Sequence, residues 1–197
     1  MMDSSVTMPN VLVDTSVGRQ SSRIVDEMYA DREIQCIGPI DADMTNSLCL
    51  QMRYLQKADP DAGITLFINS PGGEVMNGLA VYDVMRMLTC PVRTVCFGMA
   101  ASMAALLFMA GGQRDMLPHS QIMVHDPMIG EGLAGSALSV KAVSDSLMHT
   151  RDIMSRIISE CTGHTIEEVL AVTSHDTYFE SDQAVAWGLA DRVIDRL

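Results

Sequence analysis

The sequence is short of basic residues, and this shortage narrows the classes of partner. Lysine and arginine together number 13 against 25 aspartate and glutamate residues, which gives a formal net charge of −12. A surface of that charge repels phosphate groups, so neither nucleic acid nor an anionic membrane is expected as a partner. Basic or neutral peptides remain compatible with it.

Several targeting and ligand-binding signals are also missing. Residues 1–23 lack an apolar segment behind basic residues, so no secretory signal is expected. The five cysteines form no Cys-x-x-Cys pair, and no set of His, Asp and Glu has the spacing of metal ligands. No phosphate loop of the Gly-x-x-x-x-Gly-Lys-Ser/Thr type occurs. We therefore predict buried free thiols in a reducing, cytoplasmic compartment, no metal and no bound cofactor.

One uncharged stretch, residues 94–112, is long enough to cross a membrane. Gly98 interrupts it, and its alanine and glycine residues dilute its hydrophobicity. We therefore expect a buried strand, a glycine turn and a buried helix in this stretch.

The pattern of apolar residues predicts one α/β domain. Strands are expected at 33–38, 64–69, 92–97, 114–117, 122–125, 178–179 and 190–194. Helices are expected at 43–58 (with Asp43 or Thr45 as its cap), 79–88, after Gly98, 136–161, from 165, and 181–187. This alternation is typical of a largely parallel sheet. Residues 1–23 are expected to form a loose N-terminal segment ahead of a single domain at 24–197.

Ser102 lies where an apolar strand passes through Gly98 into an apolar helix. A serine hydroxyl becomes a nucleophile only when a base takes its proton. The unpaired N–H groups at a helix start, here that of Met103, could stabilise an oxyanion. Local sequence alone favours the simpler interpretation, a small residue packed inside an Ala-rich helix.

Two glycines, Gly72 and Gly73, follow Pro71 at the end of another strand. They allow backbone conformations that are closed to other residues, and they allow a ligand to approach the backbone closely. Two explanations fit the glycine pair equally well: a tight turn, or an oxyanion hole to which the Gly73 N–H contributes.

A base and a carboxylate are also available. His125 ends an apolar strand before Asp126-Pro127, where it suits a general base or a half-exposed imidazole without a role. Asp176 lies between a helix and a short strand, where a buried carboxylate could orient an imidazole. Asp126 and Asp115 compete for that role, although adjacent strand residues such as 125 and 126 point to opposite faces. The weaker histidine candidates are His119, His149, His164 and His175.

Four segments in this order resemble the Clp protease proteolytic subunit, the caseinolytic serine peptidase family. They are FINSPGG at 67–73, GMAASM at 98–103, LPHSQIMVH at 117–125 and AVAWGLAD at 184–191. The likeness runs from about Met8 to Val193, nearly the whole chain. Because several specific motifs occur in one order, the resemblance reverses the local interpretation of Ser102 as a packing residue.

The resemblance implies a serine endopeptidase that hydrolyses peptide bonds of unfolded proteins. In that reaction Ser102 is the nucleophile and His125 is the general base and then the general acid. Asp176 orients the histidine, and the N–H groups of Gly73 and Met103 form the oxyanion hole.

The resemblance also implies an architecture and partners. The family fold is crotonase-like, with repeated β-β-α units and a protruding handle helix, here in the region of about 130–161. Seven subunits form a ring and two rings stack as a tetradecamer around a proteolytic chamber. An AAA+ unfoldase uses ATP to feed it. Residues 1–23 would include a propeptide and an axial loop, and residues 130–135 would pair with extended substrate.

The chain departs from the family pattern at three places. Ser174 and His175 stand where an acidic residue and arginine usually link the two rings, and neither replaces arginine. Residues 22–28 lack the aromatic residue expected in the unfoldase-docking stretch. Asp126 replaces the common glutamine, and Ile129-Gly130 replaces a glycine pair. We therefore expect a divergent paralogue that works with a second, more ordinary subunit.

Two alternatives stay open on sequence grounds. One is a catalytically silent or conditional ring subunit that supports an active partner. The other is an acyl-CoA hydratase or isomerase on the same fold, which needs an acid–base carboxylate near the glycine turn, where Glu74 is the nearest.

Overall fold

A computed structural model describes residues 8–129 and 135–197 of the chain. Its strands are β1 (Asn10–Thr15), β2 (Gly18–Arg23), β3 (Glu33–Ile37), β4 (Ile64–Ser70), β5 (Val92–Ala101), β6 (Gln113–Met116), β7 (Gln121–Val124), β8 (Thr177–Glu180) and β9 (Arg192–Val193). Its helices are α1 (Ile24–Ala30), α2 (Ala42–Ala58), α3 (Val75–Met87), α4 (Met103–Met109), α5 (Ala137–Thr162), α6 (Ile166–Thr173) and α7 (Ser181–Ala186).

The main sheet is largely parallel, as the sequence predicts. Strands β3, β4, β5, β6 and β9 lie side by side in parallel. The last part of β5 pairs in parallel with β7, and β7 pairs antiparallel with β8. The expected α/β class is confirmed.

Strand β5 changes partner halfway along, and this change sets the position of the residues that follow it. Residues 93–96 pair with β6, whereas residues 99–101 pair with β7. Between the two parts the register with β4 shifts, and Gly98 adopts a φ of +98°. The side chain of Asn69 accepts a hydrogen bond from the Met99 N–H at 3.2 Å and occupies the space beside Gly98. A bulge of this kind turns a strand towards a new neighbour.

The core lies between this sheet and the helices that pack on it. Every residue of α4 is buried, and α2 contributes the predicted stripe of Leu48, Met52 and Leu55. The uncharged stretch is thus a buried strand, a bulge and a buried helix, as expected. No helix in the described ranges has both the length and the apolar character needed to span a membrane. The cap of α2 is Asp41, which accepts a hydrogen bond from the Met44 N–H, and not Asp43 or Thr45.

The N-terminal segment is more ordered than the sequence suggested. Strands β1 and β2 form an antiparallel hairpin that makes its own two-stranded sheet. The prediction of a loose segment was therefore wrong for residues 10–23. Backbone hydrogen bonding between strands stabilises this segment, although only a short apolar patch at 11–13 marks it in the sequence. Helix α1 was not predicted.

Helix α5 matches the predicted long helix. Ser136 caps its start, and Gly163 ends it in the left-handed conformation at φ +80°. Thr165 and Glu168 form the predicted capping box of α6. The first half of α5 is exposed nearly all round, whereas its second half packs on the domain. The segment expected to pair with substrate, residues 130–135, lies outside the described residues except for Gly135.

Candidate active site

The ends of β5 and β7 bring the serine close to the histidine. Ala101 pairs with Met123, and the Ser102 N–H donates a hydrogen bond to the Met123 carbonyl at 2.8 Å. His125 follows β7 by one residue. Local sequence placed Ser102 inside the helix, but the residue precedes α4 as its N-cap.

Ser102 has a backbone conformation that is rare for a residue with a side chain. Its φ is +55° and its ψ is −122°. Conformations of this kind cost on the order of 1–3 kcal/mol and are found at sites where the surrounding structure enforces them. The sharp turn presents the hydroxyl at the end of β5, and the next residue starts α4.

The pairing of β7 with β8 places the carboxylate beside the imidazole. Val124 is opposite Thr177 in the antiparallel register, so His125 and Asp176 lie one position beyond the last pair. Facing residues at the end of an antiparallel pair have neighbouring side chains. Two residues 51 positions apart in sequence are thus brought together by a strand pairing.

The three side chains form one chain of hydrogen bonds. Ser102 Oγ lies 2.8 Å from His125 Nε2, and His125 Nδ1 lies 3.0 Å from Asp176 Oδ1. An N–H on Nδ1 that donates to the carboxylate leaves Nε2 free to accept the serine proton. The His125 side chain is 11% exposed, whereas that of Asp176 is 57% exposed. The expectation of a buried Asp176 was therefore wrong for the single chain.

The two N–H groups expected to form an oxyanion hole lie beside this series of hydrogen bonds. Gly73 bridges to Ile40 through its neighbours: the Ile40 N–H donates to the Gly72 carbonyl and the Glu74 N–H donates to the Ile40 carbonyl. The N–H of Gly73 consequently faces away from Ile40. Met103 is the first residue of α4, so its N–H has no acceptor within the helix. These two N–H groups suit a developing negative charge.

Neither glycine of the turn has room for a side chain. A Cβ on Gly72, where φ is +91°, would lie 2.7 Å from the Ala101 carbonyl oxygen and 2.8 Å from Ser102 Cβ. A Cβ on Gly73 would overlap the Ile40 backbone. The glycine pair therefore allows the two strand ends to approach each other closely, which goes beyond forming a tight turn.

A cavity of about 250 Å³ opens beside Ser102. Gly73 and His125 line it together with five apolar side chains and Pro71, which the sequence did not group because they come from distant segments. The apolar side chains are Val75, Met123, Pro127, Met128 and Met154. This lining suits an apolar side chain of a bound ligand.

The competing carboxylates have other partners. Asp115 is fully buried and forms ion pairs with Arg93 at 2.7 Å and Arg192 at 2.8 Å. Burial raises the pKa of Asp115, but hydrogen bonds from Arg192, Gln113 and Arg93 outweigh it and leave that pKa below its ordinary value. Asp126 is paired with Arg151.

The remaining candidate groups lie elsewhere. Glu74 accepts a hydrogen bond from Asn77 at 2.6 Å and is not among the described residues that line the cavity. The His164 ring stacks on Trp187 with centroids 4.2 Å apart, which is a packing role. Within residues 8–129 and 135–197, no group of three or more His, Cys, Asp or Glu side chains could hold a metal ion. All five cysteines are free; Cys36, Cys90 and Cys96 are buried, as expected, whereas Cys49 and Cys161 are only half-buried.

Comparison with known proteins identifies the family of the chain. The family model described as Clp protease matches residues 16–197. The chain is 36% identical over 189 residues, 95% of its length and 92% of theirs, to proteins named "ATP-dependent Clp protease proteolytic subunit 2" from Chlamydia trachomatis serovar D and Chlamydia muridarum. The predicted resemblance is confirmed, and the numbered names of these relatives agree with the expectation of a paralogue. With a matching family model over nine-tenths of its residues and relatives of nearly equal length, the chain belongs to the Clp protease family.

Proposed function

We propose that this chain is the proteolytic subunit of an ATP-dependent Clp-type protease and a serine endopeptidase. The observation that carries the proposal is the chain of hydrogen bonds from Ser102 Oγ through the His125 ring to Asp176, which runs beside an open apolar cavity. Membership of the Clp protease family fits the same reaction. The substrate class is the peptide bond of unfolded protein.

The geometry supports the following reaction. His125 Nε2 takes the proton of Ser102 as Oγ attacks the scissile carbonyl carbon. The negative charge that forms on the carbonyl oxygen is stabilised by the N–H groups of Gly73 and Met103. His125 then gives the proton to the leaving amine, and an acyl-enzyme remains on Ser102. Water, activated by the same imidazole, releases the acyl group.

Asp176 acts on the imidazole and not on the substrate. Its carboxylate accepts the Nδ1 proton, which holds the ring in the tautomer that leaves Nε2 as a base. It also stabilises the imidazolium that forms during attack. The intact chain of hydrogen bonds favours an active enzyme over a permanently silent subunit.

Self-association is part of the proposal. The exposed half of α5 carries apolar side chains at Leu138, Val140, Val143 and Met148, between 38% and 80% exposed. Patches of this kind are typical of protein–protein contacts. The half-exposed Asp176 also suits a surface that an adjoining subunit covers. We propose heptameric rings stacked as a tetradecamer, in the cytoplasm, where a paralogous proteolytic subunit is a further partner.

Energy would come from a partner. We propose that an AAA+ unfoldase hydrolyses ATP and delivers unfolded chains, so that this chain itself binds no nucleotide, metal or other cofactor. The net charge of −12 is compatible with peptide substrates and unfavourable for nucleic acid.

The test is covalent labelling together with particle mass. A fluorophosphonate probe should acylate Ser102 in the wild type. Ser102→Ala should abolish labelling and lower peptide hydrolysis by roughly a million-fold, to below detection. Ser47→Ala, which removes an exposed hydroxyl on α2, is the matched control and should change neither. Labelling that persists in Ser102→Ala would contradict the assignment of the nucleophile.

Assembly needs its own measurement. Native mass spectrometry of the purified chain, alone and after mixing with a paralogous subunit, gives the ring composition, and peptidase activity is followed in both samples. Activity of the pure homo-oligomer supports an independent enzyme. Activity only after mixing, with labelling confined to the partner's serine, would support a scaffolding subunit instead.

A further inference from the structure

The residue after the histidine of the site makes three hydrogen bonds to two helical elements. Asp126 Oδ2 accepts a hydrogen bond from Arg151 Nε at 2.6 Å, and Oδ1 accepts one from Thr173 Oγ1 at 2.8 Å. The Asp126 N–H donates to the Thr173 carbonyl at 2.7 Å. A carboxylate can accept from a cation and a hydroxyl at once, and bonds to charged groups are the stronger ones.

These contacts join the segments that carry the two partners of Ser102. Asp126 directly follows His125 at the end of β7. Thr173 is the last residue of α6, is 3% exposed, and stands three residues before Asp176. Arg151 lies in the half of α5 that packs on the domain. The network therefore fixes the segment that leads to Asp176 relative to the imidazole.

Asp176 depends on this support because its own side chain is poorly held. Among the described residues, the carboxylate has one hydrogen bond, to His125, and more than half of its surface is exposed. Its position is set by the backbone on each side. After it, β8 pairs with β7, and Thr177 Oγ1 donates to the Val172 carbonyl at 2.7 Å. Before it, the connection to β7 is made by Thr173 with Asp126.

We propose that Asp126 is a positioning residue of the peptidase, which aligns Asp176 with His125 by fixing the end of α6 and the second half of α5. This inference rests on the proposed function. It assigns a purpose to the residue that departs from the family's usual glutamine, since only a carboxylate both pairs with Arg151 and accepts the Thr173 hydroxyl.

The test compares turnover in Asp126→Ala, Thr173→Val and Asp126→Asn, in the assembly in which the wild type hydrolyses peptide. Active sites are counted with the covalent probe, so that kcat is expressed for each labelled serine. Asp126→Ala and Thr173→Val should lower kcat about 10- to 100-fold, because a displacement of about 1 Å at the reacting groups costs on the order of 100-fold. KM should not change, since Asp126 does not line the cavity.

Two further variants separate positioning from general stability. Asp126→Asn keeps an oxygen that accepts the Thr173 hydroxyl and should recover part of the lost kcat. Asp61→Asn makes the same substitution at an exposed carboxylate in the turn between α2 and β4, and it should leave kcat unchanged. A merely structural role would reduce the number of labelled sites and leave kcat for each site intact.

Wild-type kcat at each labelled site of Asp126→Ala would overturn the inference. If that variant does not fold, Thr173→Val decides: the same fall in kcat supports positioning, and normal turnover overturns it. Failure of the proposed function is distinguishable, because the wild type itself would then neither react with the probe nor hydrolyse peptide.

Discussion

The contact between Gly72 and the turn of Ser102 offers a direct test of how the site is built. Gly72 has a φ of +91°, and a Cβ on it would lie 2.7 Å from the Ala101 carbonyl oxygen, 2.8 Å from Ser102 Cβ and 3.1 Å from the Met103 nitrogen. Ordinary contacts between carbon atoms are about 3.5–4.0 Å. The substitution Gly72→Ala therefore forces the turn that carries Ser102 and the proposed oxyanion donor, the Met103 N–H, to move by roughly 1 Å.

Such a movement should affect catalysis more than stability. A displacement of about 1 Å at the reacting groups costs on the order of 100-fold in rate. The unfavourable φ and the overlap should cost about 1–3 kcal/mol in the free energy of unfolding. We expect kcat/KM for a fluorogenic peptide, normalised to folded protein, to fall about 100-fold.

Gly38→Ala is the matched control. Gly38 has a φ of +87°, and a Cβ on it would meet nothing within 4 Å. The Gly38→Ala variant should have the same unfavourable backbone conformation without displacing Ser102, so its normalised kcat/KM should equal that of the wild type. The reasoning is refuted if Gly72→Ala keeps wild-type kcat/KM, or if both variants lose activity equally.

Two other predictions concern buried groups. Asp115→Asn should lower the free energy of unfolding by about 3 kcal/mol near neutral pH, because it breaks a buried ion pair. Because the pKa of Asp115 is depressed in the folded protein, the stabilisation by its carboxylate is present above the ordinary carboxyl pKa and is lost as pH falls through the depressed value. The free energies of unfolding of the wild type and the variant, measured in urea, should therefore converge in acid. A difference between them that stays constant with pH would contradict this prediction. Burial raises the pKa of Cys36 to about 11 and that of Cys96 to about 12. Iodoacetamide should therefore modify the half-buried Cys49 and Cys161 before Cys36 and Cys96 in the folded protein, as mapped by mass spectrometry, and equal labelling of Cys96 would be the contrary result.

The sequence by itself determined the local elements and the inventory of reactive groups. Apolar periodicity located the strands of the main sheet, and Gly163 with the Thr165 capping box located the helix ends, because these signals act over a few neighbouring residues. Order in the chain also determined the family, since four specific segments recur together. The hairpin of β1 and β2 was not predicted, because strand pairing is not encoded in one strand alone.

Only the tertiary structure decided which of these groups work together. The serine reaches the imidazole because β5 leaves β6 at the Gly98 bulge and pairs with β7. The carboxylate reaches the imidazole because β8 returns antiparallel to β7, in a register that places residue 176 opposite residue 125. The bonds from Asp126 to Arg151 and Thr173 arise in the same way, from segments far apart in the chain. Hydrogen bonding between strands fixes which residues face each other, and no spacing in a linear sequence carries that information.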